Sequence, residues 1–534
     1  MKPLFNPYLP LWEFVPDGEP HIFNGRLYVY GSHDRYGGEI YCMDPYTVWS
    51  APLDDLSDWT NHGISYTGKE DPRNTTGSMR MFAPDVCFKN GKYYLYYGLE
   101  TSDTISVAVS DKPEGPFRFY GHVHYPDGTL WGLKEGEDKC FDPGIFVDED
   151  GRVYLYSGFS ITEEVRKRIL AKVPPGFDID FTLDGSKGVE LEEDMLTIKD
   201  GPYPILPGEG NSAGTGFEGH EFFEASSMRK FNGKYYAIYS SVNGHELCYA
   251  ISDQPLGGFQ YQGVLHSNGD IGFKGQKEPS YYHGNNHGSM IEINGDYYVF
   301  GHRHTAWSQY QRQGVAEKLA MNPDGTFDQA RMTSYGLTGK PFDLPVRLPA
   351  AAACVLYAAD GACKSAPDLD QDLHPAIVLD KGISCIANLQ DGAVAGFRSF
   401  SSEKDGQIRL TIKACSDAPA QLEVFLDESM EGSPAAILPI PAGKPQLSVG
   451  PSALQAKEES QIPKPEPDPA QTSSDQPEKA GQSSLLAIQP DQYQTISVIL
   501  PVKQGTFPLF IRKKGAGRLD LYEIALEAID PDVN

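Results

Sequence analysis

Basic residues are scarce in this chain of 534 residues: 45 Lys and Arg face 73 Asp and Glu, which gives a net charge of −28. Nucleic acids are held by Lys and Arg side chains that neutralise phosphates. The composition therefore excludes nucleic acid as a partner, and it disfavours an anionic membrane surface for the same reason. A neutral oligosaccharide is compatible with so acidic a chain. Association into a homo-oligomer is left open.

Long apolar runs are also missing. No stretch is long enough to span a bilayer, and the N-terminal residues 1–7 contain no apolar core of a signal peptide. The eight cysteines are scattered and never form a CxxC pair, so we expect buried, reduced thiols. These absences predict a cytoplasmic protein.

Common cofactor and nucleophile motifs are absent as well. The chain has no P-loop, no GxGxxG between a strand and a helix, no HExxH and no GxSxG. We therefore expect an activity that requires no cofactor. Aromatic and turn-forming residues are abundant instead, with 30 Tyr, 26 Phe, 55 Gly and 41 Pro, and this composition is typical of all-β folds.

A turn followed by a tyrosine-rich strand recurs five times in the first 310 residues. An Asn-Gly or Asp-Gly pair favours a type I′ hairpin, because both central residues need a positive φ. The copies are 60 to 82 residues apart, which suits a four-stranded sheet with its loops, and radial repetition of such sheets is a β-propeller. We predict a five-bladed propeller over residues 1–345. The turns are Asn24-Gly25, Asn90-Gly91, Asp150-Gly151, Asn232-Gly233 and Asn294-Gly295.

The innermost strand of each blade lines the central channel of a propeller. The residues seven or eight places before each turn, called register positions below, should therefore converge at one end of the axis. One carboxyl group protonates the leaving oxygen in glycoside hydrolysis and another activates water. A third acid nearby raises the pKa of the donor by like-charge repulsion. The register positions are Asp17, Ala83, Asp142, Glu224 and His287.

Around these positions the chain resembles glycoside hydrolase family 43, from about residue 5 to residue 340. The resemblance implies an inverting mechanism with Asp17 as general base, Glu224 as general acid and Asp142 as modulator of the acid. Inverting enzymes hold acid and base about 6.5–9.5 Å apart, so that a water molecule fits between them. The resembling segments are Phe82-Ala83-Pro84-Asp85-Val86, Cys140-Phe141-Asp142-Pro143-Gly144-Ile145-Phe146, Phe222-Phe223-Glu224-Ala225, Asn285-Asn286-His287-Gly288-Ser289 and His302-Arg303.

The base departs from the family pattern, in which an Asp directly precedes a proline. Here the segment reads Pro16-Asp17-Gly18-Glu19-Pro20, so that Glu19 is the acid before the proline. Residues 17 and 19 share one face of a strand, and both can point at the pocket. Asp17 occupies the register position of the first strand and is the preferred base. Glu19 stays open as the alternative, and the acid that is not the base becomes a sugar ligand.

Further residue assignments keep their alternatives. His287 either binds Ca²⁺ or another cation near the propeller axis through water, or forms a hydrogen bond with the general acid or the substrate. Arg303 binds sugar hydroxyls, orients the modulating aspartate or forms a salt bridge that closes the ring of blades. His33, Phe82 and Trp131 are expected to form walls of the sugar pocket, with ordinary packing as the alternative.

The composition changes in the last third, where tyrosine becomes rarer and Ala, Ser and Pro increase. Alternating strands at residues 375–440 and 494–528 predict a jelly-roll-like β-sandwich over residues 346–534. Gly392-Ala393-Val394-Ala395-Gly396-Phe397 and Leu519-Asp520-Leu521-Tyr522 resemble family 6-like carbohydrate-binding modules. Packing against the propeller is the alternative to sugar binding. A Pro-, Ser- and Gln-rich insertion near 452–485 cannot bury enough apolar surface to fold and is predicted to be mobile.

These features predict an exo-glycosidase. The resemblance implies removal of terminal α-L-arabinofuranosyl or β-D-xylosyl residues from plant-derived oligosaccharides. An endo-arabinanase or a galactosidase on the same scaffold is the alternative among enzymes, and a non-catalytic sugar-binding propeller is the alternative outside them. The sugar itself depends on a few hydroxyl contacts that the sequence does not reveal.

Overall fold

The computed structural model describes residues 4–172, 181–365, 369–380, 382–443 and 493–529. Within these ranges regular structure is almost entirely β, with 31 strands and one α-helix, α1 (Glu163–Leu170). Thr162 caps α1 by accepting a hydrogen bond from the backbone amide of Val165 at 3.2 Å. At eight residues, α1 is too short to cross a membrane, and the described ranges hold no longer helix. The all-β class is confirmed.

Five antiparallel sheets follow one another along the chain up to residue 319. In each sheet the strands pair in chain order; the first four sheets have four strands and the fifth has three. The strands are β1 (Glu19–Phe23), β2 (Arg26–Tyr30), β3 (Tyr46–Pro52), β4 (Thr60–Tyr66), β5 (Asp85–Lys89), β6 (Lys92–Gly98), β7 (Ile105–Ser110), β8 (Arg118–His122), β9 (Gly144–Val147), β10 (Val153–Ser157), β11 (Lys187–Leu191), β12 (Ile198–Pro204), β13 (Phe222–Phe231), β14 (Lys234–Ser241), β15 (Glu246–Ser252), β16 (Gln260–Ser267), β17 (Met290–Ile293), β18 (Asp296–Thr305) and β19 (Ser308–Leu319).

The first strands of the five sheets contact one another in a ring. Strand β1 contacts β5, β5 contacts β9, and β9 contacts β13. Arg229 of β13 donates to the carbonyl of Met290 in β17 at 2.9 Å, and β17 in turn contacts β1. This circular order is the arrangement expected of a five-bladed propeller, and it brings the starts of the first strands to one end of a common axis.

Four of the five hairpin turns have the predicted geometry. Asn24, Asn90, Asn232 and Asn294 adopt φ values of 51–53°, and the glycine after each also has a positive φ, as a type I′ turn requires. The turn at residues 150–151 differs, because only its glycine has a positive φ. There the backbone amide of Asp148 donates to the carbonyl of Arg152 at 2.8 Å, and the amide of Gly151 donates to the carbonyl of Asp148 at 2.9 Å.

The C-terminal part consists of two six-stranded sheets that share one apolar core. The first strand of these two sheets along the chain is β20, which lies just before the predicted domain boundary after residue 345. The predicted insertion near 452–485 lies outside the described residues. The strands are β20 (Phe342–Asp343), β21 (Val346–Pro349), β22 (Val355–Tyr357), β23 (Ala376–Asp380), β24 (Ile383–Leu389), β25 (Val394–Ser402), β26 (Gly406–Ser416), β27 (Ala420–Phe425), β28 (Ala436–Ile440), β29 (Gln494–Val502), β30 (Gly505–Lys514) and β31 (Leu519–Ile529).

The core between these two sheets has the alternation expected of a sandwich. Leu410 and Ile412 of β26 face it from one sheet, and Leu422 and Val424 of β27 face it from the other. Each pair is spaced by two residues, since successive side chains of a strand point to opposite faces.

All eight cysteines lie in the described ranges and none of them forms a disulfide. Seven are buried and Cys363 is half-buried, which confirms the expected free thiols. The cytoplasmic location stays a prediction.

Candidate active site

A cavity of about 90 Å³ opens where the first strands begin, and all three predicted acids line it. Asp17 lies just before β1, Asp142 just before β9, and Glu224 near the start of β13. Asp17 and Asp142 adopt positive φ values of 57° and 44°, a conformation that Asp tolerates better than most residues. The other residues of the wall are Tyr41, Cys42, Phe82, Ala83, Phe141, Asn285, His287 and Arg312.

Asp17 is held as a carboxylate. Arg312 donates from Nη1 to its Oδ1 at 2.9 Å, and the hydroxyl of Ser32 donates to its Oδ2. The Nδ1 atom of His302 lies 3.3 Å from Oδ1. Burial alone would raise the pKa of Asp17, but the charge of Arg312 and the His302 contact hold it well below its usual range. An ionised carboxylate of this kind can accept a proton from water.

Glu224 is in the opposite state. Burial is the main reason why its pKa rises to about 8, and the nearby Asp142 carboxylate raises it further. Glu224 is therefore protonated at neutral pH and can donate a proton to a leaving group. One acid that is ionised and one that is protonated share the same cavity.

Asp142 and His287 form the third element of the site. The Nδ1 atom of His287 lies 3.4 Å from Oδ2 of Asp142. Burial disfavours the charged form of His287, yet the Asp142 carboxylate outweighs it and raises the pKa of His287 to about 9. Burial also raises the pKa of Asp142, while the charge of His287 opposes that rise. The two members of the pair act on Glu224 in opposite directions, since the Asp142 carboxylate raises the pKa of Glu224 and the charge of His287 lowers it.

The structure moves Glu19 out of the cavity. Its Oε2 atom accepts hydrogen bonds from Arg229 at 2.6 Å and from Ser227 at 3.1 Å. Both partners belong to β13, and Glu19 is buried beside them in the channel without lining the cavity. Of the two acids that the sequence analysis left open, Asp17 lines the cavity and Glu19 does not.

Three other residues predicted to contact the sugar do not line the cavity either. Arg303 is 1% exposed and donates to the carbonyls of Ala351 and Ala353, so it joins the propeller to the C-terminal sheets. Trp131 is buried in an apolar cluster between the second and third sheets. His33 contacts Glu13 at 2.9 Å and the carbonyl of residue 45, and it does not line the cavity. Of the predicted sugar contacts, Phe82 and His287 do line it.

Arg312 is the functional residue that the sequence analysis missed. It lies in β19, is almost fully buried, and also forms an ion pair with Asp34 at 2.8 Å. In the structure Gln311, Arg312 and Gln313 are three consecutive long polar side chains buried in one strand, and the sequence alone does not show this burial. Such groups are buried only when partners satisfy them, and here one partner is Asp17.

A calcium ion or other cation at the axis stays a prediction. Calcium takes six to eight oxygen ligands. Glu19, His21 and Asp85 offer ligand atoms within 4.8 Å of one another, but Arg229 already pairs with Glu19, and His21 pairs with Asp85 at 2.7 Å. His287 belongs to neither cluster of possible direct ligands among the described residues, the second cluster being His220, Glu246 and Cys248.

Two carboxyl groups in opposite protonation states lie at one end of the ring of sheets. Such a pair supplies the acid and the base that cleavage of a glycosidic bond requires. Fold and site thus define the class, a glycoside hydrolase. The chain belongs to the glycosyl hydrolases family 43, whose family model matches residues 12–327.

One curated relative extends the likeness beyond the propeller, and two others cover about half of the chain. A xylosidase/arabinosidase of Thermoclostridium stercorarium is 43% identical over 426 residues, covering 77% of this chain and 86% of the relative. A xylosidase/arabinosidase of Bacteroides ovatus is 31% identical over 318 residues, covering 55% of this chain and 87% of the relative. A xylosidase/arabinosidase 43A of Humicola insolens is 32% identical over 314 residues, covering 54% and 88%.

Proposed function

We propose that this protein is an inverting exo-glycosidase that removes terminal α-L-arabinofuranosyl or β-D-xylosyl residues from plant-derived oligosaccharides. The observation that carries the proposal is the pairing, in one small cavity, of ionised Asp17 with protonated Glu224. The relatives named xylosidase/arabinosidase support pentose glycosides as the substrate class. A cavity of about 90 Å³ suits the single terminal ring that an exo-acting enzyme binds.

Glu224 and Asp17 act together in a single displacement. Glu224 transfers its proton to the glycosidic oxygen, so that the leaving group departs as an alcohol. Asp17 removes a proton from a water molecule, whose oxygen forms the new bond to the anomeric carbon on the opposite face of the ring. Two carboxyl groups exchange their protonation states in one turnover, and proton exchange with solvent restores them.

Asp142, His287 and Arg312 prepare this reaction. The charge of Asp142 keeps the proton on Glu224 until the leaving oxygen develops negative charge. His287 holds Asp142 in place, and Arg312 keeps Asp17 ionised. None of these steps requires a metal ion or an organic cofactor.

Paired substrates test the proposal. The enzyme is assayed on an aryl α-L-arabinofuranoside and on the matching aryl β-D-xyloside, and NMR follows which anomer forms first. Inversion gives the β-anomer of arabinose and the α-anomer of xylose. Glu224→Gln and Asp17→Asn should each lower kcat by about a hundredfold or more, while Asp111→Asn at an exposed ion pair should not. Release of the retained anomer, or full turnover by Asp17→Asn, would overturn the mechanism.

A further inference from the structure

A nitrogen, an oxygen and a sulfur atom come together at the fourth sheet, outside the cavity that holds the two acids. His220, Glu246 and Cys248 each offer one ligand atom, and these atoms lie within 4.8 Å of one another. None of the three residues lines the cavity. Together they are called the His-Glu-Cys cluster below.

The order of strands in the fourth sheet brings the cluster together. Glu246 begins β15 and Cys248 stands two residues later, so their side chains share one face of the strand. His220 lies two residues before β13, the first strand of the same sheet. Its main chain is held in place, because the hydroxyl of Tyr239 donates to the His220 carbonyl at 2.7 Å. The cluster therefore joins two segments that the sheet fixes independently.

The contacts of the cluster converge on one carboxylate oxygen. Nδ1 of His220 lies 2.9 Å from Oε2 of Glu246, and Sγ of Cys248 lies 3.6 Å from the same atom. Ser241 donates to this oxygen from Oγ at 2.7 Å, and Asn243 donates from Nδ2 at 3.0 Å. A carboxylate oxygen has about two lone pairs. It cannot accept four hydrogen bonds of full strength, so hydrogen bonding alone is a poor account of the arrangement.

A cation between the three residues gives each contact a role. His220 and Cys248 then direct lone pairs at the ion instead of hydrogens at the carboxylate. Ser241 and Asn243 remain hydrogen-bond donors to Glu246 and orient it, as outer partners do for the ligands of metal sites. The ring of Tyr261 stacks on His220 at 5.0 Å with 14° between the planes, which fixes the orientation of the imidazole.

The spacing of the ligand atoms suits a tetrahedral zinc ion. Bonds of about 2.0–2.1 Å to nitrogen or oxygen and about 2.3 Å to sulfur place neighbouring ligand atoms about 3.3–3.5 Å apart. The observed distances of 2.9 Å and 3.6 Å around Glu246 differ from these values by a few tenths of an ångström. The His220 side chain is 33% exposed and gives an ion a path from solvent.

The donor set also selects the class of metal. Imidazole nitrogen and thiolate sulfur suit Zn²⁺ and similar transition metals, whereas Ca²⁺ and Mg²⁺ prefer oxygen ligands. We propose that the His-Glu-Cys cluster binds one Zn²⁺ ion, with a water molecule as the fourth ligand. Cys248 binds as the thiolate and releases its proton to solvent, and His220 binds through neutral Nδ1. The ion is structural and ties the segment before β13 to the start of β15, so the site does not depend on the proposed function.

Zinc titration of the full chain tests the site. After dialysis against EDTA, calorimetry measures the affinity for Zn²⁺, and inductively coupled plasma mass spectrometry counts the bound ions. We expect one tightly bound Zn²⁺ per chain and a higher Tm, because an ion that binds the folded state stabilises it. His220→Gln and Cys248→Ser should each weaken this binding by about a hundredfold or more, at least the effect of losing an outer partner. Co²⁺ in place of Zn²⁺ should give a cobalt–thiolate absorption band that Cys248→Ser abolishes.

Control variants separate this site from others. Cys354→Ser changes a buried thiol that contacts Ser334 and a backbone carbonyl, and it should leave the affinity for Zn²⁺ unchanged. His21→Gln alters the cluster of Glu19, His21 and Asp85 and should also leave it unchanged. An excess of Ca²⁺ should not displace the ion. The proposal is overturned if the unmodified chain binds no Zn²⁺ tightly, if His220→Gln and Cys248→Ser bind it as well as the unmodified chain, or if His21→Gln abolishes the binding.

Discussion

Asp17 and Glu224 are carboxyl groups in the same cavity, and their neighbours move their pKa values in opposite directions. Arg312 lies 2.9 Å from Asp17 and lowers the pKa of that group, against the effect of burial. Glu224 has no such cation in contact, and burial together with Asp142 raises its pKa to about 8. The difference between the pKa values of Asp17 and Glu224 therefore depends on the charge next to each carboxyl group, together with the burial of Glu224.

Replacing Arg312 should weaken the base at low pH. Without the guanidinium, the pKa of Asp17 rises, so Asp17 is protonated and inactive at pH values where it is normally ionised. In Arg312→Met we expect the acidic limb of the kcat/KM profile to move upward by about one pH unit or more, since charges this close interact by several kcal/mol even when screened. Lys318→Met, at an exposed ion pair on the same strand, is the control. A uniform loss of rate with an unmoved limb would contradict this role.

Replacing Asp142 should weaken the acid at high pH. The Asp142 carboxylate is one of the groups that keep Glu224 protonated, so Asp142→Asn lowers the pKa of Glu224. Glu224 must be protonated to act, and the alkaline limb, expected near pH 8 in the unmodified enzyme, moves to lower pH. The measurement is the pH at which the alkaline limb of the kcat/KM profile lies. The maximal kcat/KM also falls in this variant and therefore does not test the role of Asp142. An alkaline limb that stays in place or moves upward would show that Asp142 does not modulate the acid.

At the scale of single elements, the hairpins explain why the site could be predicted from the sequence. A tight turn fixes which residues of the two strands face each other, so counting back from it locates the start of the first strand. All five register positions line the cavity, including Ala83, which carries no acid. The count succeeded because it used only local geometry that the Asn-Gly and Asp-Gly pairs determine.

The residues whose contacts were missed or assigned differently by the sequence analysis depend on contacts between distant segments. Arg303 and Arg312 belong to the two long strands of the fifth sheet, and nothing local distinguishes them. The carbonyl partners of Arg303 lie at residues 351 and 353, whereas Arg312 meets Asp17 almost 300 residues away in sequence. Trp131 likewise is covered by a neighbouring sheet. The sequence near each residue carries no information on these partners.

The type I′ turns should contribute measurable stability. Gly91 has a φ of +79°, and a Cβ at this position would meet nothing within 4 Å. Gly91→Ala therefore introduces backbone strain without a clash, and we expect a loss of about 1–2 kcal/mol, seen as a lower Tm. Gly98→Ala in the same hairpin is the matched control, because Gly98 also has open space but no positive φ. Equal effects of both substitutions would contradict the turn assignment.

At the scale of the whole molecule, the C-terminal sheets are joined to the propeller through buried contacts. Arg303 donates to two carbonyls on their side, and Tyr281, Tyr282 and Met332 contribute to the core that these sheets enclose. Arg398 of β25 donates to Asp270, which follows the fourth sheet, at 2.5 Å. These contacts give the C-terminal part a packing role. Its resemblance to a carbohydrate-binding module stays a prediction.

The Asp270–Arg398 pair should carry much of this attachment. Both residues are buried, and Asp270 also accepts hydrogen bonds from the hydroxyl of Ser280 and the amide of Met332. Removing Arg398 leaves Asp270 as an uncompensated buried charge, which costs about 3–5 kcal/mol. Asp270→Asn should cost less, because Arg398 keeps a second ion pair with Glu428 at 3.4 Å. Urea unfolding monitored by tryptophan fluorescence measures both losses.

The double variant decides whether the pair itself is responsible. With both charges removed, neither group is buried without a partner, so the double variant should lose clearly less stability than the sum of the single losses. Asp111→Asn, which breaks an exposed ion pair with Lys92, should change stability by less than about 1 kcal/mol and controls for a general effect of charge. Strictly additive losses would mean that Asp270 and Arg398 stabilise the molecule through separate neighbours. The propeller and the C-terminal sheets would then be held together by apolar packing and by the carbonyl contacts of Arg303.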